Sequence, residues 1–306
     1  MVTRHTYATT DELRDYLAGT NYSSGWTSDL VILRRILESA SNRIDNYVGM
    51  QSFGPRIETH YYDIGRGNLR ETAQLSISSH PTDNIGVSDQ LISVIPFDDW
   101  LISTTTVTSY GATDRATSET LTEGYNNDFL LEPYNSSPKV RLKLSEDTAK
   151  SLNAGQQTLA ILGTWGYSND TLLVTTADAV ASTTTTSVSL SSASGFGPAE
   201  TVLIDSEQMY ITAISGNTLT VERGVNGSTA ATHSGGASAY SYEYPALVVE
   251  ACLDLAKVSF RDRDMGTILT IGSGEQETTR SEASAANILS TLDQYRSSTP
   301  VSEVYF

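Results

Sequence analysis

Apolar residues recur along this chain at two periods, and the period switches twice. Near the start, Leu13, Tyr16 and Leu17 share one helical face behind Thr9-Thr10-Asp11-Glu12. That quartet is spaced as a capping box, in which Thr9 accepts an orphan amide and Glu12 reaches back. Gly19 is a natural stop. A second helix is predicted from about Ser28 to Val48, where Leu33, Ile36, Leu37, Ala40, Ile44, Tyr47 and Val48 recur at three- and four-residue spacing. Arg34, Arg35, Glu38, Asn42, Arg43 and Asp45 fall largely on its other side, and Gly49 ends it.

From Ile57 to Tyr167 the pattern becomes that of short strands between turn residues. The predicted strands are Glu58–Ile64, Leu91–Pro96, Ser103–Tyr110, Phe129–Glu132, Val140–Leu144 and Thr158–Trp165. The stretch from Asn169 to Tyr242 is rich in Thr, Ser, Ala and Gly. Val202-Leu203-Ile204 and Met209-Tyr210-Ile211 flank a turn at Asp205-Ser206-Glu207, and Ile214 and Leu219 flank a second at Ser215–Thr218. This reads as an inserted small β domain whose ends lie close together. Helical spacing returns after Pro245 with Leu247, Val248, Ala251, Cys252, Leu255, Ala256 and Val258, apolar over much of the circumference and hence expected to be buried on several sides. Beyond Gly266–Gly274, Thr279 and Glu282 form a second capping box, before a stripe of Ala285, Ile288, Leu289, Leu292 and Tyr295.

The resulting expectation is an α+β fold: a helical bundle formed by the N- and C-terminal helices, with a β-rich region and an inserted all-β domain. The divisions are 1–56, 57–168, 169–242, 243–296 and an extended tail at 297–306. Leu33, Ile36, Leu37, Ile44, Tyr47, Leu247, Val248, Ala251, Leu255, Leu289 and Leu292 are the candidates for bundle core or subunit interface.

Charge narrows the function. With 36 acidic residues against 19 basic, the net charge of −17 lacks the clustered cations that displace counterions from nucleic acid. The single cysteine, Cys252, permits no intramolecular disulfide and sits where a free thiol packs as a small hydrophobe. Met1–Thr6 has no signal-peptide h-region and no run is long enough to span a bilayer, so a soluble protein made in a cytosol, with no membrane partner, is expected.

Candidate chemistry is sparse. His5, His60, His80 and His233 are scattered, and none is paired with another His or with Cys252 at metal-ligand spacing. A metal site could assemble from His60 and nearby Asp63, but structural roles are the better expectation, so no metal and no cofactor are expected. Asp98-Asp99 reads as a solvated turn after Pro96, and Arg261-Asp262-Arg263-Asp264 as a salt-bridged helix end. No G-x-S-x-G, P-loop or H-E-x-x-H occurs. A glycosidase would need two carboxylates about 5–9 Å apart, and the sequence nominates no such pair. No enzyme is expected.

The order of segments nevertheless resembles a known family. Tyr7–Leu17 followed by Leu33–Val48, then Thr59–Asp63, Gln157–Tyr167 and Tyr244–Arg263, resembles the head-to-tail connector, or adaptor, proteins of tailed bacteriophages. Val202–Tyr210, Gly216–Thr220 and Arg223–Ser228, closed by Ala230–His233, is similar to a small β module of phage tail and neck proteins that many adaptors lack. The resemblance implies a homo-oligomeric ring of about twelve subunits in the virion neck. Its partners would be the portal protein and a downstream neck or tail-completion protein. DNA would pass through the channel without specific binding. It also implies a portal-binding tail, matched here by Val301, Val304, Tyr305 and Phe306. The alternative is a virion-surface or secreted binding protein whose β insertion recognises a receptor or carbohydrate.

Overall fold

The computed structural model describes residues 4–18, 30–49, 52–64, 94–111, 116–145, 150, 152–153, 155–264 and 278–296. These residues form two six-stranded antiparallel sheets and four α-helices. They fall into two compact units, Ile57–Tyr167, and Met1–Arg56 with Ser168–Phe306.

The Ile57–Tyr167 unit is built on β1 (Arg56–Ile64), β2 (Val94–Tyr110), β3 (Ser118–Leu121), β4 (Phe129–Glu132), β5 (Lys139–Leu144) and β6 (Gly155–Trp165). The order is β1-β6-β2-β5-β4, with β3 also on β2. Period-two alternation turns Ile95, Phe97, Phe129, Leu131, Leu142, Leu144, Leu159, Ile161 and Trp165 into one core. The seventeen-residue β2 covers the predicted Ser103–Tyr110 strand and Val94–Pro96 of the predicted Leu91–Pro96, the rest of which lies outside the described residues. Its register against β5 shifts between Pro96 and Leu101, and against β6 between Leu101 and Ser103. Such irregularities are where a strand loses strict alternation: Asp99, Trp100 and Leu101 are all buried in succession. Asp98-Asp99 is therefore strand, correcting the expectation of a solvated turn.

The second unit contains α1 (Thr10–Ala18), α2 (Leu30–Val48), β7 (Thr171–Ala177), β8 (Ser187–Ser189), β9 (Thr201–Ile204), β10 (Glu207–Ser215), β11 (Thr218–Glu222), β12 (Ala237–Tyr242), α3 (Ala246–Asp264) and α4 (Thr278–Ser290). Its sheet runs β7-β12-β9-β10-β11-β8. The two ends of that path meet again through an Ala177–Leu190 bridge and amide bonds from Asp178 to Ser189 and from Ser191 to Thr176. Val188, Leu190, Val202, Ile204, Met209, Ile211, Leu219 and Val221 fill the interior. Thr171 pairs with Tyr242, so the segment begins and ends side by side. Asp205 and Ser206 alone form the first hairpin loop, since Ile204 pairs with Glu207 and Asp205 takes a φ of 52°.

The capping box forms as predicted: Glu12 N donates to Thr9 Oγ1 at 3.1 Å and Thr9 N to Glu12 Oε2 at 2.7 Å. In α2, Leu33, Leu37 and Ile44 are fully buried, each stabilising by roughly 1.5–3 kcal/mol. Gly49, at a φ of 78°, ends that helix.

The helical bundle expected as the frame is overturned. The protein is mostly β, and the four helices among the described residues are short, at 9, 19, 19 and 13 residues. They do pack together, α3 against α1, α2 and α4, but α2 is also tied to the sheet through its polar residues. Tyr210 of β10 donates to Glu38 of α2 at 2.9 Å, and Arg34 reaches the Thr212 carbonyl. A free-standing bundle would leave Arg34 and Glu38 to water. Ahead of α1, Arg4 N donates to Asn226 Oδ1 at 2.6 Å, Thr6 Oγ1 to the Ala199 carbonyl, and Thr10 N to the Pro198 carbonyl at 3.1 Å. An amphipathic stripe reports that a helix has a buried face without reporting what covers it. Here α2 carries contacts on its polar side as well, where Arg34 and Glu38 meet β10.

Candidate functional site

The residues singled out on helical spacing are mostly interior. Leu33, Ile36, Leu37, Ile44, Val248, Ala251, Leu255 and Leu292 are buried, whereas Tyr47, Leu247 and Leu289 are half-buried. Val301, Val304, Tyr305 and Phe306 lie outside the described residues. So do His80, the Gly19 stop and the side chains of the predicted Thr279/Glu282 capping box. Polar contacts join the helices: Tyr16 OH donates to Asp254 at 2.6 Å, Tyr47 OH to Asp293 at 2.5 Å, and Ser41 Oγ lies 3.5 Å from Cys252 Sγ. Burial pushes the Cys252 thiol up to about 12, which leaves it an inert hydrophobe. Asp45, assigned to the polar side of α2, is instead turned inward and accepts from Tyr7 OH. Burial raises its carboxyl to about 8, against the lowering effect of that bond. Between α3 and α4 an open groove of about 330 Å³ is lined by Leu247, Ala251 and Ile288 with Glu250, Asp254 and Asn287.

Two clusters of ionisable groups are set into the sheets. In the second unit Glu207, the first residue of β10, has no exposed surface. It accepts from Arg223 Nε at 2.6 Å and Nη2 at 2.7 Å, and from the amides of Gly224 and Ala231 at 3.1 and 2.8 Å. His233 is held between Asp205 Oδ2, 2.8 Å from Nδ1, and Glu207 Oε2, 2.9 Å from Nε2. Burial opposes the Glu207 charge, but the donors outweigh it and hold the carboxyl below its ordinary range. The Arg223–His233 series noted in the sequence is thus a loop folded onto one buried carboxylate. The guanidinium also bonds the carbonyls of Ser182, Thr185 and Ala231. Every guanidinium donor is engaged inside the fold, and the arrangement fixes a loop.

The other cluster lies in the Ile57–Tyr167 unit. Glu58, His60 and Tyr62 alternate along β1 and share one face by the strand period. Asp63 falls on the other face and accepts from Gln157 N at 2.7 Å. The His60–Asp63 pairing considered from sequence does not form, because an odd separation in a strand places two side chains on opposite sides. His60 meets acids from its own face and from β2 instead. Nε2 lies 2.9 Å from Glu58 Oε1 and Nδ1 lies 3.2 Å from Asp98 Oδ1, which also accepts from Tyr62 OH at 2.9 Å. The imidazole stacks on Trp165 with centroids 3.8 Å apart and planes 12° apart. Burial works against protonation of His60, but the bonds to Asp98 and Glu58 outweigh it and raise its pKa; the His60 bond lowers that of Asp98. Among the described residues, Glu58, His60 and Asp99 are the group with metal-ligand spacing, one donor atom from each lying within 4.8 Å of the others. Asp99 was legible in sequence only as half of an acidic pair.

No family model, no curated protein and no solved structure matches this chain.

Proposed function

We propose that the protein is a non-catalytic structural component of a tailed-bacteriophage neck, a head-to-tail connector that assembles as a ring beneath the portal. One observation carries the reading. The helical segments on which the resemblance rests, Tyr7–Leu17, Leu33–Val48 and Tyr244–Arg263, are spread so that more than two hundred residues lie between the first and the last, yet α1, α2 and α3 pack on one another within one unit. The helical part of the resemblance thus falls in one unit, while its strand segments Thr59–Asp63 and Gln157–Tyr167 belong to the other. Charge supports it in a second way. A ring of chains at −17 apiece repels the phosphates of a genome in transit, so DNA moves through without adhering. The neck partners are the portal above and a tail-completion protein below, with the 297–306 tail as the portal-facing segment.

Native mass spectrometry of the full chain, alone and mixed with the portal of the same phage, tests this reading. A closed ring, alone or on the portal, is the expected species. A protein that stays monomeric at every concentration and ignores the portal refutes it.

A further inference from the structure

The His60 cluster does more than a surface role requires, and it is independent of the connector reading. Three features define it. Glu58 and His60 project from adjacent same-face positions of β1, while Asp99 is turned inward by the irregular stretch of β2 and is 1% exposed. The imidazole orientation is fixed from two directions, by stacking on Trp165 and by Asp98 at Nδ1, itself held by Tyr62. This leaves Nε2 directed at Glu58, whose side chain, 23% exposed, forms the open rim. A carboxylate on one imidazole nitrogen with the other nitrogen turned toward acidic oxygens is the arrangement that orients metal-binding histidines and raises their basicity.

We propose that Glu58, His60 and Asp99 bind a divalent transition-metal ion of the zinc class, with Asp98 as a positioning residue. One imidazole nitrogen and two carboxylates suit such an ion, and three protein ligands leave a position for water. Bonds of this kind place ligand atoms about 3.4 Å apart around a tetrahedral ion. The 2.9 Å Nε2–Oε1 separation and the 4.8 Å limit on the whole set bracket that value, so small side-chain rotations suffice.

The test uses the full chain, stripped with chelator and titrated calorimetrically with Zn²⁺, then with Co²⁺ followed by its visible absorption. One ion per chain is expected, with Co²⁺ bands of four-coordinate intensity. His60→Asn and Asp99→Asn abolish the site. Asp98→Asn weakens it roughly 10- to 100-fold while leaving the stoichiometry and the Co²⁺ band shape in place, which a residue acting only on stability would not do. Asp63→Asn, on the opposite face, changes nothing. Should His60→Asn or Asp99→Asn fail to fold, Glu58→Gln at the open rim serves in their place and abolishes the Co²⁺ bands. Heats no greater than those of buffer, unchanged binding in the ligand variants, or equal loss in Asp63→Asn overturns the proposal and leaves His60 as a structural histidine hydrogen-bonded to carboxylates.

Discussion

Replacing Glu207 with Gln removes one charge from the interior and changes little else in shape. Its effect can be worked out from the contacts. The carboxylate takes four hydrogen bonds from Arg223, Gly224 and Ala231 and faces His233. The amide keeps one acceptor oxygen and turns an N–H₂ toward groups that are themselves donors. Arg223, 6% exposed, then lacks its counter-charge. Breaking a buried pair in this way costs about 3–5 kcal/mol. We take the lower end, because the carbonyls of Ser182, Thr185 and Ala231 still hold the guanidinium. At ~2–4 °C per kcal/mol for a unit of roughly 200 residues, the Tm falls by about 6–12 °C. Differential scanning calorimetry measures this, and the Ile57–Tyr167 unit, which holds none of the residues named above, is the internal control. Arg223→Met should cost less in the Glu207→Gln background than alone, by about 1–3 kcal/mol. A shift under ~2 °C, or strictly additive variants, would refute the view that one carboxylate organises this loop.

Two further outcomes follow from the N-terminal segment. Burial, reinforced by the Arg56 charge and opposed by the Pro55 carbonyl, lowers His5 to about 4. The unfolded chain therefore takes up the proton first, and the stability owed to neutral His5 is complete above about pH 6.5 and is lost as pH falls toward 4, by ~3 kcal/mol. Asp45 and Glu200, raised by burial to about 8 and about 7, titrate in the opposite sense. The effect is accordingly read as the difference between wild type and His5→Phe in urea melts at pH 7 and pH 4.5, and equal pH dependence in the two proteins would exclude it. Thr9→Ala loses the Glu12 amide's acceptor and costs about 0.5–2 kcal/mol by the same melts, whereas Thr9→Ser restores most of it.

Features set by neighbours in sequence were legible before the structure. The stripe of α2 and its stop at Gly49 need only helical periodicity, and Phe129–Glu132 needs only a short apolar run between turn residues. The hairpin at Asp205 was visible because matching apolar triplets flank it. Glu207 was misread as part of that turn for a sound local reason: a carboxylate is costly to bury alone. Its partners Arg223 and His233 lie 16 and 26 residues away, where no window on the turn can see them. Asp99 was hidden in the same way, since it faces a histidine on a strand that is not even its neighbour in the sheet. The bundle failed at a different level. Most apolar positions of α2 and α3 are buried, but helical periodicity at the two ends says nothing of how far strands dominate the fold between them.

The stitching of residues 4–10 to the second sheet has a consequence for the order of events during synthesis. Arg4 and Thr6 bond to groups 222 and 193 positions downstream. The amino terminus therefore waits outside the ribosome until most of the chain has emerged. The Ile57–Tyr167 sheet, contiguous in sequence, is complete before that and folds first. Closing the remaining unit is then the late, slow step, and a ribosome-stalled chain ending near residue 200 should protect Ile57–Tyr167 from protease while leaving Arg4–Thr10 open to it.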